Sequence, residues 1–272
     1  MTPRITGKQL LDLIDSGVMW DTSQRLSIPR DLLSAYRLAL ELGDLRVGRG
    51  ERVVGVKIGL TNQEAWQKLD VSAPIWGHVW DRTYSQLSSG GYGLAKISML
   101  CQPRLEPEIV FRFNAPVHCS MSRSEVFESL KTIAPAFEIV QCHVPGWQLS
   151  ASLGIVDAGL HGQLWVGPEL PIHEFFSSME NLESGLSSAS VVLSSNLGKS
   201  YLGCGSNVLG NPFNALCEFL SVLRNQNTSI PLDEGFLVTT GSWTEAPKLQ
   251  LGEDWVADFS IFNSAIRLST IE

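Results

Sequence analysis

Long apolar runs are missing from this 272-residue sequence, and so is any run of basic residues. No stretch approaches the ~18 apolar residues that span a bilayer. The opening MTPRITGKQLLDLIDSG is broken every few residues by a charge or a glycine and lacks the apolar centre of a secretory leader. The expectation is a cytoplasmic protein with no membrane partner. With 20 Lys+Arg against 28 Asp+Glu the formal charge is −8, and no basic cluster offsets it, so nucleic acid is excluded as an expected partner.

Cysteine is scarce, odd in number and scattered, at Cys101, Cys119, Cys142, Cys204 and Cys217. Without a C-x-x-C pair or a histidine at zinc-finger spacing, these read as reduced, mostly buried thiols. No G-x-S-x-G elbow or H-E-x-x-H pair supports a serine hydrolase or a zincin. Gly203-Cys204-Gly205-Ser206-Asn207 with Gly210 has the wrong spacing for a phosphate loop and reads as a structural turn. Asn227-Thr228-Ser229 matches a glycosylation acceptor but, with no leader, reads as a plain loop.

What is present is an ordinary globular composition, 44% hydrophobic and 18% charged, long enough for one large domain or a small one leaning on a larger. Thr6-x-x-Gln9 opens a helix carrying Leu10, Leu11, Leu13 and Ile14 and stopped at Gly17. Ser27 and Pro29 open a second, with Leu32, Leu33, Tyr36, Ala39 and Leu40 at helical steps, ending at Gly43. From Val53 to Ile58 the chain is β-branched, and Thr61-x-x-Glu64 then caps a short helix. Beyond a turn-rich 88–93, strands are expected near 95–100, 108–114, 136–141, 162–166, 189–194, 236–240 and 254–260, with helices near 123–132 and 212–224. Strands and helices do not alternate regularly, so an α+β or mostly β fold is expected over a doubly wound sheet.

Glu106-Pro107-Glu108 is the sharpest local signal. On an extended chain these two carboxylates point to one side, about 6.6 Å apart, where a hard cation fits between them. The intervening proline places them at a strand start or edge. Two solvated glutamates are the plain alternative, but Glu138 sits in the apolar Pro135-Ala136-Phe137-Glu138-Ile139-Val140, where a carboxylate needs a partner, a proton or a metal. Three glutamates make an oxygen site for magnesium or manganese. Lys57 lies opposite Val56 and Ile58; it is either a lysine on a half-exposed strand or one beside a dry cleft with a lowered pKa, serving as proton shuttle or carboxylate anchor. Trp76, Trp80, Trp147, Trp165 and Trp243 read as core, with a pocket wall as the alternative.

GVKIGLTN (55–62), PIWGHVWD (74–81), QPRLEPEIVF (102–111), APAFEIV (134–140), VDAGLHG (156–162), GCGSNVLGNPFNAL (203–216) and LVTTGSW (237–243), in this order, resemble the 2-oxopent-4-enoate (2-hydroxypentadienoate) hydratase and 4-oxalocrotonate decarboxylase branch of the fumarylacetoacetate hydrolase superfamily. The resemblance implies an α+β fold, with a helical N-terminal region over 1–50 and a mixed β-roll in a catalytic domain over 51–272. It implies Mg²⁺ or Mn²⁺ held by Glu106, Glu108 and Glu138, and Lys57 in the same cleft with Asp81 and Asp157 orienting it. Leu60, Thr61 and Ser242 would meet a small 2-oxo acid substrate. Homo-oligomers, association with a partner pathway enzyme and a place in aromatic-compound degradation are also implied. Three departures stand out: Val156-Asp157-Ala158 where the family carries Ala-Asp-Asn, Leu209-Gly210-Asn211-Pro212 for Leu-Gly-His-Pro, and Thr240-Gly241-Ser242-Trp243, whose tryptophan is expected to reshape the pocket. The implied reaction is hydration of a 2-hydroxy-2,4-dienoate to a 4-hydroxy-2-oxo acid. Decarboxylation of a vinylogous 2-oxo diacid and a silent scaffold subunit are the alternatives.

Overall fold

The computed structural model describes residues 4–21, 27–228 and 230–272; the Ser229 end of the acceptor pattern lies outside them. The capping box at Thr6 and Gln9 forms as expected and starts α1 (Gly7–Ser16), which Gly17 ends in the left-handed region. Asp31, not Ser27, caps α2 (Leu32–Gly48), and this helix runs through Gly43 to Gly48. Its Leu38 and Leu42 pack with Leu10 and Leu11 of α1 in a small cluster of their own.

The strands follow: β1 (Val53–Gly59), then a 3₁₀ turn leading into α3 (Trp66–Leu69), β2 (Ile75–Trp80), β3 (Tyr84–Gln86), β4 (Tyr92–Lys96) and β5 (Arg104–Phe113). After α4 (Arg123–Glu128) come β6 (Leu130–Val140), α5 (Ala151–Val156), β7 (His161–Val166), β8 (Leu170–Pro171), α6 (Ile172–Phe175) and α7 (Met179–Ser188). The remainder is β9 (Ser190–Ser195), β10 (Ser200–Cys204), α8 (Pro212–Asn225), β11 (Leu237–Thr239), β12 (Asp254–Phe259) and β13 (Ile266–Ile271).

Two mixed sheets result. The larger runs β2-β1-β11-β5-β6-β7-β3, with β8 beside β6, and the smaller runs β10-β9-β12-β13-β4. β1 lies parallel to β11 and β3 parallel to β7, while β5, β6 and β7 are antiparallel neighbours. Several expectations need correction. The helix expected to reach residue 132 stops at Glu128, because Leu130 to Val140 is needed as the long partner of β5. The strand expected at 95–100 is β4, ending at Lys96. β2, β10, β13, α5 and α7 had no sequence signal strong enough to announce them; β10 in particular occupies the start of the glycine-rich stretch.

Alternation along the strands decides where chemistry is allowed. One side of the larger sheet sends Val56, Ile58, Leu105, Ile109, Phe111, Phe137 and Ile139 into the main core, where Phe213 of α8 meets Phe111 edge to face at 6.5 Å. The opposite side carries a smaller apolar group, Val79, Val110, Ala134, Ala136, Leu164 and Leu237. By the same alternation it also carries the polar side chains of Lys57, Glu106, Glu108 and Glu138.

Candidate active site

Strand register gathers the three glutamates. Glu106 is the direct cross-strand partner of Glu138, and Glu108 follows two residues along β5, opposite Ala136. One carboxylate oxygen from each lies within 4.8 Å of the others. Pro107, expected at a strand start or edge, is the fourth residue of β5 and is tolerated inside it because backbone groups alternate sides. Leu105 N–H donates to Pro247 O and Trp243 N–H to Pro107 O, so the missing proline donor faces the loop after β11 and costs no bond in the β5–β6 ladder.

Neighbouring strands supply the partners. Lys57 pairs with Thr239 across β1 and β11. Its Nζ lies 3.1 Å from Glu138 Oε2 and the side chain is almost wholly buried, which removes the half-exposed-strand alternative. His161 Nδ1 lies 2.8 Å from Glu138 Oε1, and its Nε2 lies 2.8 Å from Thr83 Oγ1. Glu108 Oε2 accepts from the Thr239 hydroxyl and, at 2.8 Å, from Gly241 N–H. Burial keeps the His161 ring below its ordinary pKa despite Glu138, so it is a neutral donor. His161, Thr239 and Gly241 were not singled out from the sequence; Thr239 and His161 sit in otherwise apolar strand stretches, which is the one signal they offered.

The carboxylates are unlike. Burial, with the charge of Glu138, pushes Glu106 up to about 7, although Lys57 opposes this. Burial and the charges of Glu138 and Glu106 raise Glu108 well above the usual range. Glu138 is also desolvated, yet Lys57 and the His161 hydrogen bond outweigh that and hold it below the ordinary value. Burial alone would lower Lys57; the charges of Glu138, Glu106 and Glu108 more than offset it, so the expected lowered pKa is corrected to a raised one. Glu108 Oε1 is buried with no hydrogen-bond partner. An all-oxygen donor set with an unsatisfied buried carboxylate oxygen fits a hard divalent cation.

A cleft of about 530 Å³ opens over this cluster, walled by Lys57, Glu106, Leu60, Thr61, Trp147 and Ser242, among others. Leu60, Thr61 and Ser242, the expected substrate contacts, are among its walls. Lys57 is covered by the turn after α5, where Gly77 and Gly159 let two backbones meet; a Cβ on Gly77 would lie 2.7 Å from Ala158 O. Gly241 is held at φ +100°, and a Cβ there would lie 2.1 Å from Thr61 Oγ1.

Two expected residues are placed elsewhere. Asp81 bonds to the Arg52 backbone N–H at 3.0 Å and to its guanidinium at 3.1 Å, at the surface and outside the cleft lining. Asp157 is taken by His143, with contacts of 2.8 Å to the backbone N–H and 2.6 Å to Nδ1, so it anchors the turn over Lys57 and does not orient the amine. Trp243 lines the cleft, while its ring is fully buried and packs edge to face on Phe259 at 5.2 Å. Ala158, at the family's asparagine position, holds φ +54°, a region where asparagine is better tolerated than alanine.

The two-sheet α+β roll thus sets three acidic residues and a buried lysine under one cleft. No family model matches the chain. Curated relatives do. A 2-hydroxyhexa-2,4-dienoate hydratase of Comamonas testosteroni is 29% identical over 209 residues, covering 76% of this chain and 75% of the relative. A 4-oxalocrotonate decarboxylase of Pseudomonas sp. (strain CF600) is 26% identical over 223 residues, covering 81% and 78%. Among solved structures, 4-oxalocrotonate decarboxylase from Pseudomonas putida G7, complexed with magnesium and adipate, superposes with a TM-score of 0.80 at 20% identity, covering 99% of this chain and 100% of that one. These relatives carry the names of the hydratase and decarboxylase branch that the sequence resembles, and the structural likeness bears out the α+β roll. Among the described residues no helix is long and apolar enough to cross a membrane.

Proposed function

We propose that this chain is a metal-dependent lyase that hydrates a 2-hydroxy-2,4-dienoate, or its 2-oxo-enoate tautomer, to a 4-hydroxy-2-oxo acid in the breakdown of aromatic compounds. The observation that carries this is the convergence of Glu106, Glu108 and Glu138 with Lys57 beneath one cleft, which Glu106 and Lys57 line. The activities for which the relatives are named, dienoate hydration and oxalocrotonate decarboxylation, share a 2-oxo acid whose 2-oxygen takes up negative charge. Glu106, Glu108 and Glu138 would hold Mg²⁺ or Mn²⁺, which when bound supplies positive charge to stabilise the enolate oxygen of a 2-oxo acid.

The residues of the chain do the rest. Lys57, kept protonated by Glu138, gives a proton to the far carbon of the dienol as the 2-hydroxyl proton departs, leaving a 2-oxo-3-enoate. Water then adds across that double bond, its oxygen to C4 and a proton to C3. His161 and Thr83 fix Glu138, and Glu138 fixes the amine. Leu60, Thr61 and Ser242 shape the cleft around the substrate chain. Asp81 and Asp157, bonded elsewhere, are left with structural roles. A cytoplasmic homo-oligomer, associated with a partner pathway enzyme, completes the proposal.

Decarboxylation of a 2-oxo diacid uses the same electron sink and is the second reading, favoured by the decarboxylase likeness. Assaying magnesium-dependent turnover of 2-hydroxypentadienoate and 2-oxo-3-hexenedioate in parallel tests both. Hydration of the dienoate supports the first, carbon dioxide release from the diacid supports the second, and inertness toward both sinks the lyase reading.

A further inference from the structure

Lys57 is gripped at two places. Glu138 holds its ammonium group, and the turn between α5 and β7 lies along its stem. The approach is close: a Cβ on Gly159 would lie 3.3 Å from Lys57 Cδ and 3.0 Å from the Cα of Gly77, the residue paired with Lys57 across β1 and β2. Gly159 and Leu160 also line the cleft, so one turn faces both the lysine and the space for substrate.

The backbone of this turn is unusual. Ala158, Gly159 and Leu160 take positive φ in succession, at +54°, +68° and +65°. Residues with side chains enter that region at a cost and stay there only where their surroundings impose it. Here the surroundings are identifiable. Leu160 N–H donates to Asp157 O at 2.7 Å, and Gln141 N–H donates to Leu160 O at 2.9 Å. Ala158 packs, with Val156, against Leu10 and Leu11 of α1 and Leu38 and Leu42 of α2. The Asp157 carboxylate is held at both oxygens by His143, through its backbone N–H and its Nδ1. His143 is wholly buried, its O accepts from Trp20 N–H at 2.6 Å, and its Nε2 has no hydrogen-bond partner. Among the described residues, Asp157 is therefore the one polar anchor of the ring.

We propose that His143 is a positioning residue for Lys57: by tying Asp157 it keeps the left-handed turn pressed on the lysine stem, with α1 and α2 backing that turn from outside. This rests on the reading of Lys57 as the proton donor. A lysine stem is flexible over four carbons, and an ion pair fixes only its tip. A shift of about 1 Å in a reacting group costs about 10²-fold in rate, even when its cause lies away from the chemistry. His143 thus governs the proton transfer without touching substrate, and the N-terminal helices serve the site as its outer support.

The test compares His143→Leu with His143→Asn, whose amide can still donate to Asp157 from near the Nδ1 position. Both are assayed for magnesium-dependent turnover of whichever acid the wild type consumes, at a temperature where circular dichroism shows them folded. His143→Leu should lower kcat about 10- to 100-fold, while KM and magnesium affinity stay within about fivefold. His143→Asn should recover most of that loss. Gly159→Ala, whose new methyl pushes the turn off Lys57, should repeat the fall in kcat and carries the comparison if His143→Leu does not fold. Wild-type kcat in either of these two variants, KM or magnesium affinity worsening in step with kcat, or no recovery in His143→Asn overturns the positioning role and leaves the lyase reading intact. A wild type inert toward both the dienoate and the diacid overturns that reading and this one together.

Discussion

Loading the glutamate cluster with a divalent ion should expel protons. A metal binds carboxylates in their ionised form, and here burial and mutual repulsion keep two of the three protonated near neutrality, Glu106 with a pKa of about 7 and Glu108 well above the ordinary range. Glu138, ionised through Lys57 and His161, contributes no proton. For Glu106 alone, the fraction ready to bind falls from about nine-tenths at pH 8 to about one-tenth at pH 6, so apparent affinity should drop roughly tenfold over that interval, or about 1.4 kcal/mol. Glu108 steepens the fall in the same direction. Magnesium titrations by calorimetry in buffers of different ionisation enthalpy give the number of protons released, expected to be between one and two at pH 7. An affinity independent of pH from 6 to 8, with no proton release, would refute the charge assignment.

Lys57→Ala should lower kcat by about 10²–10⁴-fold, equivalent to roughly 3–5 kcal/mol of barrier, and unchanged turnover removes the amine from the chemistry. Glu138→Gln strands the buried Lys57 charge and should cost about 3–5 kcal/mol in urea unfolding, whereas Glu106→Gln, at a position holding its proton near neutrality, should leave stability nearly unchanged while weakening magnesium binding; the reverse order would contradict the pairing. His78 is held near a pKa of about 4 by burial, with Arg46 adding to the effect, against 6.5 when unfolded. Because the unfolded chain alone takes up this proton, stability is full above pH 6.5 and falls as pH drops toward 4, by up to about 3 kcal/mol. An identical pH slope of stability in His78→Gln would sink that account.

The sequence disclosed the site better than the scaffold. Glu106 and Glu108 were legible because two-residue spacing on an extended chain is a local property, and Glu138 because a carboxylate among Phe137, Ile139 and Val140 conflicts with its surroundings. Asp81 and Asp157 were misassigned because their partners, Arg52 and His143, lie 29 and 14 residues away and only the folded chain brings them together. The strands that escaped notice, such as β2 with its Gly77 and His78, are covered on both faces and show no clean alternation to read.

Charge balance explains how three carboxylates can be packed under one cleft at all. If all were ionised against the single positive charge of Lys57, the cluster would carry −2 in a largely dry interior, a cost no hydrogen bond from Thr239 or Gly241 could offset. The fold divides the load. Lys57 and Glu138 form a neutral ion pair, locked by His161, while burial keeps the proton on Glu108 and, with a pKa of about 7, on about half of Glu106 at neutral pH. Exchange of the remaining protons for one divalent ion would keep the charge of the cluster within about one unit of zero, so neither state forces a large net charge on the interior.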